Sequence, residues 1–323
     1  MGLASPLQLL LALAFGLVLE ALVGEPRRFH PLVGFGLGVK FFEKRFNRKA
    51  GSWGIALGGF SVLALISIPL LVFLLITYIA NTTFAQQPSV QTIALGMLHG
   101  TALWFALGAR SLFSHVEAIA LPLVQGDLAG ARRALSMIVS RDCSQLDETA
   151  IAKGAIESNL ENGADAIFST LFWFLVFGGA GAIVHRLANT LDAMWGYRTP
   201  RFIYFGRVAA RLDDVLNFIP ARLTAFSYAL LGETRLAHCA WREQARHWDS
   251  PNAGPVMAAG AGALGITLGG NAIYHGRVEQ RIWLGFGPEP EAADIVRSLS
   301  LVKETLVLWA FSSAVILLLA CCI

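Results

Sequence analysis

From Ala50 to Ala109 the chain carries no Asp, Glu, Lys or Arg. Sixty uncharged residues are too many for one membrane-crossing helix, which takes about 20. A polar dip at Asn81-Thr82-Thr83 through Gln86-Gln87-Pro88 divides the stretch. Two spans are therefore expected, at about 55–79 and 91–109. The basic residues Arg27, Arg28, Lys40, Lys44, Arg45, Arg48 and Lys49 precede the stretch, and Arg110 follows it. Basic clusters in short loops mark the cytoplasmic side, so the uncharged connector lies outside.

The rest of the chain fits the same reading. Residues 1–19 have no charged side chain, and a first span is expected at about 6–23, ended by Gly24-Glu25-Pro26. It lacks the basic start and small-residue cleavage site of a secretory signal, so it is read as retained. Residues 305–323 are uncharged and form a last span. The expected fold is all-α: a polytopic membrane protein with four to five transmembrane helices and a helical catalytic region on the cytoplasmic side. That region is 110–304. Region 1–109 holds three spans and the basic loop 24–53.

Composition agrees: 55% of residues are hydrophobic and 15% charged, against about 25% charged in soluble domains. The net charge of +3 is what positive-inside loops produce, and it gives no argument for nucleic acid. Cys143, Cys239, Cys321 and Cys322 form no CxxC pair, and no Cys/His set has zinc spacing. No Gly-x-x-x-x-Gly-Lys-Ser/Thr loop, His-Glu-x-x-His or Gly-x-Ser-x-Gly is present.

Residues 167–184 are apolar and contain Gly178-Gly179-Ala180-Gly181-Ala182. A simple span here would carry Arg186, Arg198, Arg201, Arg207, Arg211 and Arg222 outside, against the charge bias. A re-entrant or buried helix is expected, with a true span paired to 215–231 as the alternative. Residues 256–270 are rich in Gly and Ala, which permits close backbone packing.

The placed polar residues concentrate between Arg141 and Arg222. Glu157, Glu161 and Asp165, at i, i+4 and i+8, make one acidic stripe on a helix. Such a stripe is either a solvated face or a seat for a hard cation that bridges to phosphate. Asp213-Asp214 lies between Arg211 and Arg222, which suits a phosphorylated, metal-bound ligand and equally an ion-pair network at the membrane surface. Asn189 and Asp192 share that ambiguity. His185, His247 and His275 are each a base or a satisfied polar group. His247 and His275 adjoin turns rich in proline or glycine.

Five motifs in order are Gly24-Glu25-Pro26 with His30-Pro31, Glu157-x-x-x-Glu161-Asn162-x-x-Asp165, Asn189-Thr190-Leu191-Asp192-x-x-x-Gly196-Tyr197, Arg211-x-Asp213-Asp214-x-x-Asn217-x-x-Pro220-Ala221-Arg222, and Ser250-Pro251-Asn252-Ala253-Gly254. Together they resemble the CobD/CbiB family, the membrane adenosylcobinamide-phosphate synthases of cobalamin biosynthesis. Many relatives carry Asp where this chain has Glu20 and Glu25.

The resemblance implies an amide-bond-forming ligase. It would join (R)-1-amino-2-propanol O-phosphate to the free propionate of adenosylcobyric acid, a corrinoid substrate, with ATP and Mg²⁺ to activate the carboxylate. On that reading Glu157, Glu161, Asp165, Asp213 and Asp214 hold metal. Arg141, Arg211, Arg222, Asn217, Asn252 and His275 hold substrate and phosphate. His247, Asp192 and Asn189 serve catalysis, and 253–270 helps line a broad mouth for the corrinoid. The chain would sit in a bacterial inner membrane, in contact with lipid, its site facing the cytoplasm. A homo-oligomer, or a complex with later enzymes of the pathway, is expected by analogy. The alternatives are a membrane sensor of the same superfamily and a transporter. A transporter would place its polar residues within the spans, whereas here they lie mostly between them.

Overall fold

The computed structural model describes residues 4–25, 31–139, 141–274 and 277–322. His275, Pro26 and His30 fall outside the described residues. Four helical runs are long and apolar enough to cross a membrane: Gly51–Thr83, Pro88–Val124, Glu148–Trp195 and Ala292–Cys321. The chain is a multi-pass membrane protein. It divides into two compact units, the first from residues 1–108, 169–216 and 310–323, the second from 109–168 and 217–309.

The first unit is built from α1 (Pro6–Leu22), α2 (Pro31–Phe46), α3 (Gly51–Thr83), α4 (Pro88–Ala106), α8 (Thr170–Trp195) and the start of α9 (Arg207–Leu231). A capping box starts α1: the Ser5 hydroxyl accepts from the Gln8 amide, and the Gln8 side chain accepts from the Ser5 amide. This satisfies two of the amides that a helix start leaves open. Helices α1 and α4 pack closely through Gly16, Gly96 and Gly100, with Gly100 against the Ala12 carbonyl. Small residues four apart let membrane helices approach backbone to backbone. The core below them joins Val62, Leu65, Ile66 and Phe73 of α3 to Ile183, Leu187, Leu191 and Trp195 of α8. Helix α2 occupies most of what the sequence suggests is simply a basic loop.

Helix α8 doubles back on itself. Gly178 has φ 63° and ψ −149°, a combination that side-chain-bearing residues essentially never adopt. Thr170 Oγ1 lies 3.1 Å from His185 Nδ1, although 15 residues of straight helix would separate them by about 22 Å. Gly181 likewise lies against the Trp173 carbonyl. The run 169–195 is thus a helical hairpin with its tip at Gly178–Gly179, and not one long rod. The tip is held at the middle of α3 and α4. The Gly179 amide donates to His99 Nδ1 at 2.9 Å, and Gly179 packs on Phe73 and Ala102. Inside a membrane, broken helix survives only where other protein groups satisfy its backbone. The expectation for 167–184 is a re-entrant or buried helix; what the chain forms there is a fold-back at Gly178.

The second unit is organised around α11 (Ala253–Leu264), every residue of which is buried. Its small side chains admit α10 (Thr234–Gln244) and α7 (Glu148–Gly163): Gly262 packs on the backbone of Ala237, and Gly260 on Leu160. The Gly/Ala-rich stretch therefore serves packing, and at the end of α11 Ala263 and Leu264 also line a cavity of about 790 Å³ with Gly232, Glu233, Arg297 and Glu304. Helices α5 (Ala109–Val124) and α6 (Leu128–Leu135) cover α7.

After α11 the chain forms an antiparallel hairpin, β1 (Thr267–Tyr274) and β2 (Arg277–Gly285), in the register Thr267↔Gly285, Gly269↔Trp283 and Asn271↔Gln280. A bulge lies between Gly269 and Asn271. This small sheet is an addition to the all-helical expectation for 110–304. Helix α12 (Ala292–Cys321) closes the chain.

Candidate functional site

The expected site residues fall into two clusters, one in each unit. In the second unit the centre is Glu157 of α7, 7% exposed. Arg281 of β2 grips its carboxylate with both terminal nitrogens, Nη1 to Oε2 at 3.1 Å and Nη2 to Oε1 at 3.0 Å. The Gly269 amide of β1 donates to Oε1 at 3.0 Å. A fork-on-fork guanidinium pair is the strongest common ion-pair geometry. Arg281 also donates to the Gly270 carbonyl and lies over the ring of Trp248. Gln244 clamps the base of the hairpin through both the amide and the carbonyl of Gly285.

Arg141 approaches the same carboxylate at 3.7 Å, within ion-pair range but beyond a hydrogen bond. It is 8% exposed, and its Nε and Nη2 have no hydrogen-bond partner. Only a glycine at 154 leaves room for it, since a Cβ there would collide with the guanidinium. A buried cation, Arg141, and a partly buried one, Arg281, thus share one carboxylate, and Arg141 keeps unused donors.

The expectation of Glu157 as a metal ligand meets a carboxylate whose two oxygens are already taken by guanidinium. Further along α7, Glu161 and Asn162 are exposed. Asp165 lies in the π-helical turn Ala164–Ser169, near Tyr228. The acidic stripe is therefore not one surface.

Arg222 is committed to structure. It donates to the carbonyls of Phe218 and Pro251 and to Asn252 Oδ1, and its guanidinium stacks 3.5 Å from the centre of the Phe218 ring. It braces the turn that carries Asn252. Asn217 and Asn252 are both buried. His247 sits in an exposed 3₁₀ turn, where its Nε2 accepts from Arg246.

In the first unit Asn189 and Asp192 of α8 meet Asp213 and Asp214 of α9. The Asn189 amide donates to Asp213 Oδ1 at 3.3 Å. Asp192 and Asp214 are close enough for their charges to repel. Burial pushes the Asp214 carboxyl above its ordinary range, while nearby Arg198 pulls it down. Arg211, one turn earlier, is exposed. Glu25 pairs with Arg186 at 3.3 Å, and Glu20 acts on the same guanidinium. The two glutamates at the end of α1 thus act as partners of Arg186.

Among the described residues no three His, Cys, Asp or Glu side chains form a group ready to hold a metal. Magnesium usually takes one or two carboxylates and completes its shell with water and substrate phosphate. Asp192 and Asp214, close enough for their charges to interact, fit that lesser demand. Glu157 does not. Residues 281, 269, 244 and 248 escape the motif reading, because the bond from Arg281 to Glu157 spans 124 positions.

A family model described as CobD/Cbib protein matches residues 13–302. The "Cobalamin biosynthesis protein CobD" of Chromobacterium violaceum is 49% identical over 304 residues, covering 93% of this chain and 94% of that one. The protein of the same description from Stutzerimonas stutzeri is 50% identical over 297 residues, 91% and 93% of the two chains. The "Probable cobalamin biosynthesis protein CobD" of Pyrococcus furiosus is 36% identical over 309 residues, 95% and 98%. No solved structure matches the chain. With a match of this length, and relatives of this identity covered nearly end to end, the chain belongs to the CobD/CbiB family.

Proposed function

We propose that this cobalamin biosynthesis protein is an amide ligase. It would join the amine of (R)-1-amino-2-propanol O-phosphate to the free propionate of adenosylcobyric acid, giving adenosylcobinamide phosphate. The observation that carries the reading is the family match over residues 13–302, which includes both polar clusters.

A free carboxylate is a poor acyl donor, and ATP with Mg²⁺ would supply its activation when bound. Asp192 and Asp214 would hold the cation, oriented by Asn189 through Asp213. Arg141 and Arg281 would orient an oxyanion of the substrates. Arg141 has the unused donors for it, and Arg281 is fixed by Glu157 and by the ring of Trp248. His247 is exposed, and its Nε2 already accepts from Arg246, so a role as base requires that contact to open. The loops rich in Arg and Lys support a cytoplasmic site.

The test is turnover by the purified protein in detergent, supplied with adenosylcobyric acid, aminopropanol phosphate, ATP and Mg²⁺. A corrinoid product heavier by the amine less one water, dependent on ATP and Mg²⁺, is expected. Corrinoid binding without product, with every component present, would overturn the ligase reading in favour of a sensor. Transport of corrinoid into sealed vesicles without chemistry would favour a transporter.

A further inference from the structure

A second polar site lies in the first unit, apart from the candidate functional residues. Glu43, Lys44, Asn47, Arg48, Lys49, Ala50, Pro200, Arg201 and Tyr204 line a cavity of about 400 Å³ between the end of α2, the start of α3 and the turn before α9. Four cations face it with one carboxylate, and that carboxylate, Glu43, is already paired with Arg201. The walls are fixed. The Asn47 side-chain amide donates to the Arg201 carbonyl at 2.9 Å, and Arg48 Nε donates to the Lys44 carbonyl.

The start of α3 adds to the positive field. Its N-cap is Ala50, which offers no side-chain acceptor, and its first turn holds no acidic residue. A 33-residue helix thus begins at the cavity edge without an acidic residue in its own first turn.

The surface leading from this cavity is apolar. Val33, Leu37 and Phe41, spaced four apart on α2, are each about two-thirds exposed. Trp53, Phe60 and Leu63 on α3 are exposed as well. Trp53 and Tyr204 are of the residue types that gather at the membrane–water boundary. A small soluble anion would use the basic cavity and leave the apolar faces bare. A molecule with a phosphate head and hydrocarbon tails uses both.

We propose that this cavity binds the headgroup of an anionic phospholipid, with acyl chains along the exposed faces of α2 and α3. Basic pockets between membrane helices recognise such headgroups. Each Lys or Arg near an anionic surface contributes about fivefold in affinity, so two removed together cost about twenty- to thirtyfold.

The test uses the full-length protein in nanodiscs. Native mass spectrometry would read the lipid retained after extraction from discs of phosphatidylcholine containing phosphatidylglycerol. Wild type is expected to retain phosphatidylglycerol above its share in the disc, and Arg48→Gln/Lys49→Gln to lose that enrichment. Lys44→Gln, which leaves the residues at the start of α3 intact, is a milder second variant expected to lose about fivefold. Inorganic phosphate at millimolar concentration should leave the enrichment in place. Equal retention by wild type and variants, or complete displacement by inorganic phosphate, overturns the proposal. The first outcome would leave the basic residues as topology signals, and the second would make the cavity a site for soluble phosphate.

Discussion

Glu157→Gln separates an ion-pair role for this residue from a metal-binding one. The amide keeps one acceptor oxygen, but its NH₂ then faces an Arg281 nitrogen that also donates. The charge that balances Arg281 at 3.0 Å and Arg141 at 3.7 Å is lost. Breaking a buried pair by removing one partner costs about 3–5 kcal/mol, since the other charge stays buried. Unfolding entropy is about 2.1 cal/mol/K per residue. For 323 residues the expected fall in Tm is about 4–7 °C. The assay is thermal unfolding in detergent with EDTA present, so that no divalent cation contributes. Arg281→Gln alone should fall similarly. The double variant should fall by less than the sum of the two, because the pair is gone in both singles. A wild-type Tm for Glu157→Gln in EDTA, or strict additivity of the two changes, would refute the ion-pair account and return Glu157 to the metal.

Other expectations follow from the same geometry. Gly178→Ala should lose about 1–3 kcal/mol from backbone strain, and more if His99 cannot move, because its Cβ would lie 2.6 Å from His99 Nδ1; unfolding midpoints measure it. Asp214→Asn should abolish turnover without destabilising the fold. The native state favours protonated Asp214, so stability from that group is present at acid pH and lost as pH rises through the raised pKa. The variant should therefore unfold later than wild type near about pH 8 and match it near about pH 3. Arg222→Ala should cost about 1–3 kcal/mol through its three hydrogen bonds and ring contact and loosen the turn at Asn252, seen as faster amide exchange there. With the native cysteines replaced, single cysteines at Lys49 and Thr199 should react with an impermeant thiol reagent from one membrane face, and a cysteine at Gln86 from the other.

Much of the membrane layout can be read from charge alone. The uncharged run from Ala50 to Ala109 becomes α3 and α4, with the break at Phe84–Gln87, because a bilayer tolerates few charges and a helix needs a fixed length. The fold-back at Gly178 is legible from two signals together, a glycine cluster and the arginines that follow it. The acidic stripe misleads because helical spacing fixes direction but not depth. Glu157 is buried and Glu161 exposed, and the π turn at Ala164–Ser169 breaks the register before Asp165. The hairpin had a local trace in the alternation of Arg277, Glu279 and Arg281 with Val278, Ile282 and Leu284. Its long-range partner had none, since nothing near Glu157 in the chain names Arg281. Nor does the adjacency of motifs reveal that Glu157 and Asp213 belong to different units.

The tip of the α8 hairpin bears on how the protein is made. Its unsatisfied amide and its packing surface are met by Leu9, Phe73, His99 and Ala102, all of which precede it in the chain. The ribosome therefore delivers the socket before the plug. When residues 169–195 emerge, the acceptor nitrogen and the apolar wall are already in the membrane. A segment whose turn breaks the helical hydrogen bonding enters as the last piece of a waiting assembly. Cutting α4 from the gene and appending it at the end would leave every contact writable on paper. The hairpin would then emerge with nowhere to go.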